Sequence, residues 1–174
     1  MRIALGSDHG GFYLKEEIKK YLKNYGHTYI DFGTESAESV DYPEFGYKVA
    51  EAVASGKCDR GIVICRTGIG VSITANKIPG IRAAQCHDLF TTKMAREHLD
   101  ANVLALGADV VEKELAREMV KLFLLTKFSG GRHARRLKKL LEIEEKYLKT
   151  RSHELQPPKR PSGHRTGPSG HRTG

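Results

Sequence analysis

The chain has no tryptophan, and its apolar runs are short. Stretches such as residues 122–125 fall far below the ~20 residues that a membrane-spanning helix needs. The opening MRIALGSDHGG lacks the apolar core of a signal peptide, so no export is expected. Cysteine is scarce as well: Cys58, Cys65 and Cys86 are an odd number at unpatterned spacing. A disulfide scaffold is therefore excluded as an expectation, and a reducing cytoplasm is the default compartment. What remains is a soluble globular composition of 174 residues. That length suffices for one domain with a proper core and is short for two.

The formal net charge of +8 would suggest a nucleic-acid partner if it were spread over the fold. It is not. Residues 149–174 carry Lys149, Arg151, Lys159, Arg160, Arg165 and Arg172 against Glu154 alone, a net +5, which leaves +3 for residues 1–148. The same segment holds four of the six prolines and no aromatic residue. It has too little apolar surface to offset its ordering entropy, so residues 149–174 are expected to be a disordered tail. Within it PSGHRTG at 161–167 repeats without change at 168–174. A nucleic-acid or metal-binding appendage is one reading and a neutral extension the other. Histidines seven apart in a flexible segment make a poor metal site, because nothing fixes their geometry.

Residues 1–148 alternate between short apolar runs and amphipathic stretches. Strands are predicted over 2–6, 28–32, 61–65, 81–86 and 102–106. Helices are predicted over 12–25, from Tyr42-Pro43 onward, and over 70–76, 89–98, 112–126 and 132–148. Leu14, Ile18, Tyr21, Leu22 and Tyr25 have helical spacing, and Gly26 is a natural stop. GIVIC at 61–65 is a continuous apolar run, as expected of a strand buried on both faces. Five strands alternating with helices predict an open, mostly parallel, doubly wound sheet. Ligands bind such sheets beyond the carboxyl ends of the strands, near the switch point in strand order.

Three segments carry chemistry toward that edge: Ser7-Asp8-His9-Gly10-Gly11, Cys65-Arg66-Thr67-Gly68-Ile69-Gly70, and His98 at the end of a helix. None is a nucleotide fingerprint, since the glycine loop lacks the Gly-Lys-Ser/Thr ending of a P-loop. Its approachable backbone N–H groups would suit an oxyanion or a phosphate. Each residue also has a plainer role open to it. Cys65 could be a small core hydrophobe, His98 could cap a helix end, and Asp8 could be an N-cap. Arg132, Arg135 and Arg136 could be a solvated face. Cys58 and Cys86 read as structural, and His27, His87 and His133 have no evident partner in the sequence.

Taken together these segments resemble the type B ribose-5-phosphate isomerases, a family that includes the subunits of galactose-6-phosphate isomerase. The matching residues are SDHGGFYLK at the start, DFGT at 31–34, VDYP at 40–43, GIVIC at 61–65 and TGIGVSITANK at 67–77. They continue with GIRAA at 80–84, REH at 96–98, DANVLALGA at 100–108 and GGRHARR at 130–136. The resemblance implies a Rossmann-like, three-layer α/β/α fold with a five-stranded parallel sheet and a C-terminal helix that reaches a partner subunit. It implies a metal-free aldose–ketose isomerase, working without cofactor as a homodimer or homotetramer with shared sites. The ligand would be a small sugar phosphate, with no membrane or nucleic-acid partner.

Carried over residue by residue, the resemblance makes Cys65 the base that moves a proton between C1 and C2 through an enediolate. Thr67 would assist at the substrate oxygens, and His98 would open the furanose ring. Asp8 would lie on the sugar, and Tyr42 would line the pocket. Backbone N–H groups of 66–70, those of Arg66, Gly68, Ile69 and Gly70 among them, would hold the developing negative charge. His9, Arg132 and Arg136 would hold the phosphate. Three positions depart from the family pattern. Arg66 stands where glycine is usual, Leu99 where asparagine is usual, and Asp109 where an arginine is frequent. They keep open a related isomerase with another aldose phosphate or a free sugar such as allose or psicose, and a catalytically weak sugar-phosphate-binding protein.

Overall fold

The structure, a computed structural model, describes residues 1–154; the PSGHRTG repeat lies outside them. The elements follow in the expected alternation: β1 (Arg2–Ser7), α1 (Phe12–Asn24), β2 (Thr28–Asp31), α2 (Tyr42–Ala54), β3 (Arg60–Cys65), α3 (Ile69–Ala75), β4 (Ala83–Gln85), α4 (Leu89–Leu99), β5 (Val103–Gly107), α5 (Lys113–Leu125) and α6 (Arg132–Glu154). All strand pairs are parallel, in the order β2-β1-β3-β5-β4. Strand order reverses between β1 and β3, so the loops leaving those two strands flank the crevice where a doubly wound sheet binds ligands.

The layers follow from the period-2 alternation of the strands. Ile62 and Ile64 face one core, with Ile3, Leu5, Leu104 and Leu106, beneath α1 and α5. Val63 and Cys65 face the other, with Ala4, Val103 and Ala105, beneath α2 and α3. Leu14, Ile18 and Leu22 are buried at helical spacing, each contributing ~1.5–3 kcal/mol of apolar burial. Gly26, at φ +74°, stops the chain after α1. No helix among the described residues is long and apolar enough to cross a membrane.

Two elements differ from expectation. Strand β4 is shorter than 81–86, and side chains take up backbone groups along it and just before it. The Asn76 amide both donates to the Ala83 carbonyl and accepts from its N–H, at 2.9 and 2.8 Å. Asn102 Oδ1 likewise accepts from the Arg82 N–H at 2.8 Å. Helix α6 in turn continues past the expected end at Leu148 to Glu154. Glu144 on α6 accepts from the Gly80 N–H at 3.0 Å, so this part of α6 packs on its own subunit.

A buried lysine was not foreseen. Lys15 on α1 is 1% exposed and donates to Asp31 at 2.5 Å and to Glu16 at 3.1 Å. Its stem lies against Gly33, where a Cβ would come within 2.8 Å of Lys15 Cδ and 2.6 Å of the Ser7 nitrogen. The glycine of DFGT is thus required by close approach, and this turn locks the end of β2 beside the end of β1.

Candidate active site

The crevice is built from three loops. After β1, Asp8 is buried and caps the turn His9–Gly11, with Oδ1 accepting from the Gly11 N–H at 3.1 Å. That is the N-cap role the sequence left open for it. His9 Nδ1 accepts from the Val40 N–H at 3.2 Å, which ties the imidazole to the segment leading into α2. Tyr42 opens α2 with Pro43 beside it, and its ring lies against Gly70. A Cβ on Gly70 would sit 2.7 Å from Tyr42 Cε2. Tyr42 and the 66–70 loop are therefore in direct contact.

Cys65 ends β3 and is 6% exposed. The Gly68 N–H donates to its Sγ at 3.1 Å, so the sulfur faces a donor rather than an acceptor. Gly68 achieves this at φ +80°, a left-handed conformation that favours glycine. The Ile69 N–H donates to Thr67 Oγ1 at 3.2 Å. Two of the amides expected to face a ligand oxygen are therefore turned onto the Cys65 and Thr67 side chains. Gly107 lets β5 come close beneath: a Cβ there would sit 2.6 Å from the Thr67 carbonyl. Burial pushes the thiols of Cys58 and Cys86 up, away from ready ionisation.

Arg66 is engaged by a partner on the neighbouring loop. Its stem passes Gly10, where a Cβ would meet Arg66 Cγ at 2.5 Å, and its guanidinium pairs with Asp109 at 3.2 Å. The two unusual residues of the crevice thus neutralise each other. The backbones agree with this pairing, since the Ala108 and Asp109 N–H groups donate to the Cys65 and Arg66 carbonyls at 2.8 and 2.9 Å.

His98 lies elsewhere. The sequence reading grouped it with the strand-end loops, but α4 runs back against the strands, so its last turn approaches the amino ends of β4 and β5. The Leu99 and Asp100 carbonyls accept from Arg82, just before β4. His98 lines a pocket of about 460 Å³ with Gln85, Phe90, Met94, His133 and Arg136; Cys65, Thr67 and Asp8 are not part of its lining. Arg136 is therefore brought to His98, while Arg132 is exposed on the first turn of α6. Gln85 connects the two groups, since its Nε2 donates to the Thr67 carbonyl at 2.8 Å.

Sequence reasoning missed Gln85 and His133. His133 stacks on His98 with ring centroids 4.0 Å apart and planes 9° from parallel. The available signal was the position of His133 two residues after a glycine pair, in a segment already noted for its arginines. Burial lowers the affinity of His133 for a proton, and the neighbouring His98, Arg132 and Arg136 lower it further against an opposing Glu97.

Comparison with known proteins bears on this arrangement. Residues 3–140 match the model of the family described as Ribose/Galactose Isomerase. Ribose-5-phosphate isomerase B of Escherichia coli is 47% identical over 145 residues, 83% of this chain and 97% of that protein. D-erythrulose-4-phosphate isomerase of Pectobacterium atrosepticum is 42% identical over 150 residues, 84% of this chain and 99% of that one. Ribose-5-phosphate isomerase B of Clostridium thermocellum superposes with a TM-score of 0.83 at 60% identity, covering 84% of this chain and 99% of that structure. The five-stranded parallel fold, the cysteine at the end of β3 and the match over residues 3–140 converge on one conclusion: the chain belongs to the ribose/galactose isomerase family.

Proposed function

We propose that this sugar-phosphate isomerase interconverts ribose 5-phosphate and ribulose 5-phosphate, with Cys65 as the base. The observation that carries the reading is the Cys65 sulfur at the carboxyl end of β3, 3.1 Å from the Gly68 N–H and next to Thr67. In this mechanism His98 takes the proton of the anomeric hydroxyl and returns one to the ring oxygen, so the C1–O4 bond breaks and C1=O forms. The Cys65 thiolate then removes the C2 proton, and the electron pair moves into C1=C2, leaving an enediolate charge on O1. Thr67 passes a proton between O1 and O2, and the thiol returns its proton to C1. Atoms and charge balance without an added reactant. A positioned base supplies ~10²–10⁴ of such a rate.

His9, Arg132 and Arg136 hold the phosphate in this reading, with Asp8 and Tyr42 beside the sugar. Because Cys65 and His98 stand apart in one chain, the site is formed between two copies, Cys65 from one and His98 from the other. Exposed Ile69, Ile73, Phe90 and Leu99 are apolar surface on α3 and α4, consistent with that assembly, as are exposed Ile143 and Tyr147 on α6.

A second reading, another aldose phosphate, is favoured by the Arg66–Asp109 pair at the crevice. The test is a coupled assay for ketose formation from ribose 5-phosphate, erythrose 4-phosphate and allose 6-phosphate. Cys65→Ala should abolish turnover while leaving ligand binding largely intact, and Cys65→Ser should restore little. An unchanged rate in Cys65→Ala would return Cys65 to the role of a core cysteine.

A further inference from the structure

The mechanism above gives His133 no role, yet the fold delivers it to one place with several constraints. The segment between α5 and α6 is stitched to α4 beside His98. The Ser129 N–H donates to the Glu97 carbonyl at 3.0 Å, and Arg96 Nε donates to the Thr126 carbonyl at 3.2 Å. Gly130 and Gly131 then turn the chain at φ +65° and +54°. The His133 N–H closes onto the Gly130 carbonyl at 3.0 Å, which starts α6. The result is an imidazole 9% exposed, flat against His98 at 4.0 Å.

From this stack we infer that His133 is a positioning residue: its ring face fixes the plane in which His98 meets the sugar ring, so its contribution falls on ring opening. The inference rests on the isomerase reading, in which His98 opens the furanose. An imidazole that must take a proton from one oxygen and give one to another needs its ring nitrogens aimed, and its own turn of α4 leaves two side-chain torsions to be set. A parallel ring 4.0 Å away restricts both.

The surroundings weigh against a charge on His133. Around the pair stand Arg132 and Arg136 on α6, Glu97 with Lys93 on α4, and the neutral Gln85 and Cys86 of the β4 side. Burial and the neighbouring cations oppose protonation of His133 and so favour its neutral form.

Ring opening has a kinetic signature that general damage lacks. An enzyme able to open the ring converts ribose 5-phosphate at a rate that keeps rising with enzyme concentration. An enzyme that cannot is limited, at high concentration, by the spontaneous opening of the sugar in solution. His133→Ala should lose about tenfold or more at low enzyme, because misplaced reacting groups cost that order. Its rate should level off at the same ceiling that His98→Asn shows. His133→Phe, which keeps a flat ring, should stay within about threefold of the parent and show no ceiling. Erythrose 4-phosphate, whose 4-oxygen is esterified and cannot close a furanose, should lose less than about twofold in any His133 variant if the parent accepts it. His133→Asn replaces the alanine variant if thermal unfolding shows that alanine does not fold.

A His133→Ala rate that scales with enzyme as the parent's does would overturn the inference. So would a His133→Phe rate that meets the ceiling, since the nitrogen rather than the face would then be needed. If the parent itself forms no ribulose 5-phosphate, the isomerase reading fails and the inference with it. If the parent turns over and only the His133 expectations fail, the isomerase reading stands.

Discussion

Arg66 Nη1 lies 3.2 Å from Asp109 Oδ2, so the loop leaving β3 is joined to the loop leaving β5 by an ion pair at the mouth of the crevice. Both side chains are more than half exposed, at 65% and 56%. A pair this open contributes ~0–1 kcal/mol to stability. Its consequence is directional: Asp109 holds the guanidinium toward the loop that leaves β5. Arg66→Gly should therefore leave the stability within about 1 kcal/mol and kcat within about threefold. Thermal unfolding and the coupled assay check both. A tenfold fall in kcat, with a raised acidic limb in the pH profile, would show instead that the thiolate depends on Arg66.

Gly68 offers a sharper test of the 66–70 loop. Its φ of +80° disfavours any side chain, and a Cβ would sit 3.0 Å from the Leu106 carbonyl carbon. Gly68→Ala should cost ~1–2 kcal/mol of stability from backbone strain alone. The larger effect is expected on kcat, because the displaced amide is the one that faces Cys65 Sγ. A variant with lowered stability but parental kcat would show that the amide is not needed where it stands.

These features were unequally legible in the sequence. Leu14, Ile18 and Leu22 announce α1 because burial follows the helical period, and GIVIC announces a strand covered on both faces. The glycines at 68, 70 and 107 could be seen, but not what each lies against, since Gly107 meets Thr67 and Gly70 meets Tyr42. The position of His98 was misread because a βα unit returns its helix to the amino edge, and proximity in sequence to β5 does not place a residue at that strand's carboxyl end. The stack of His98 on His133 depends on the path through Ser129, Gly130 and Gly131, which no periodicity encodes. Arg66 and Asp109 each looked like an isolated departure; only strand order, with β3 beside β5, makes them partners.

Acid should act on the fold through Asp31. Burial pushes its carboxyl up, but the hydrogen bonds from Lys15, Lys19 and the Gly33 N–H outweigh burial and hold it below the usual carboxylate range. A carboxyl lowered in the folded state gives stability that is present above its unfolded value, ~3.9, and lost as pH falls through the folded one. Asp31→Asn should destabilise the protein by about 2–4 kcal/mol at neutral pH, because it leaves the buried Lys15 without its closest anion. It should also flatten the acid side of the stability curve. Denaturant melts between neutral pH and the carboxylate range measure both, and parallel curves for parent and variant would remove Asp31 as the acid-sensitive group.

The separation of Cys65 from His98 leads to a test by subunit mixing. If each site takes its thiol from one subunit and its imidazole from the other, Cys65→Ala and His98→Asn chains damage different halves of it. In a mixed dimer one site then carries both lesions and the other carries neither. Random reassembly of equal amounts makes half the dimers mixed, each with one intact site, so about a quarter of the parental ribose 5-phosphate activity should return. Refolding the two variants together, with each refolded alone as reference, gives the measurement. If both residues act within one chain, no mixture contains an intact site, and the activity stays at the average of the two separate preparations. In the assembly proposed above, copies pair through the surface bearing Phe90. Phe90 is 71% exposed on the wall of the His98 pocket. Phe90→Asp in both chains should then abolish the recovery by preventing association, with sedimentation showing monomers. Recovery that survived this change would place the shared contact on another face.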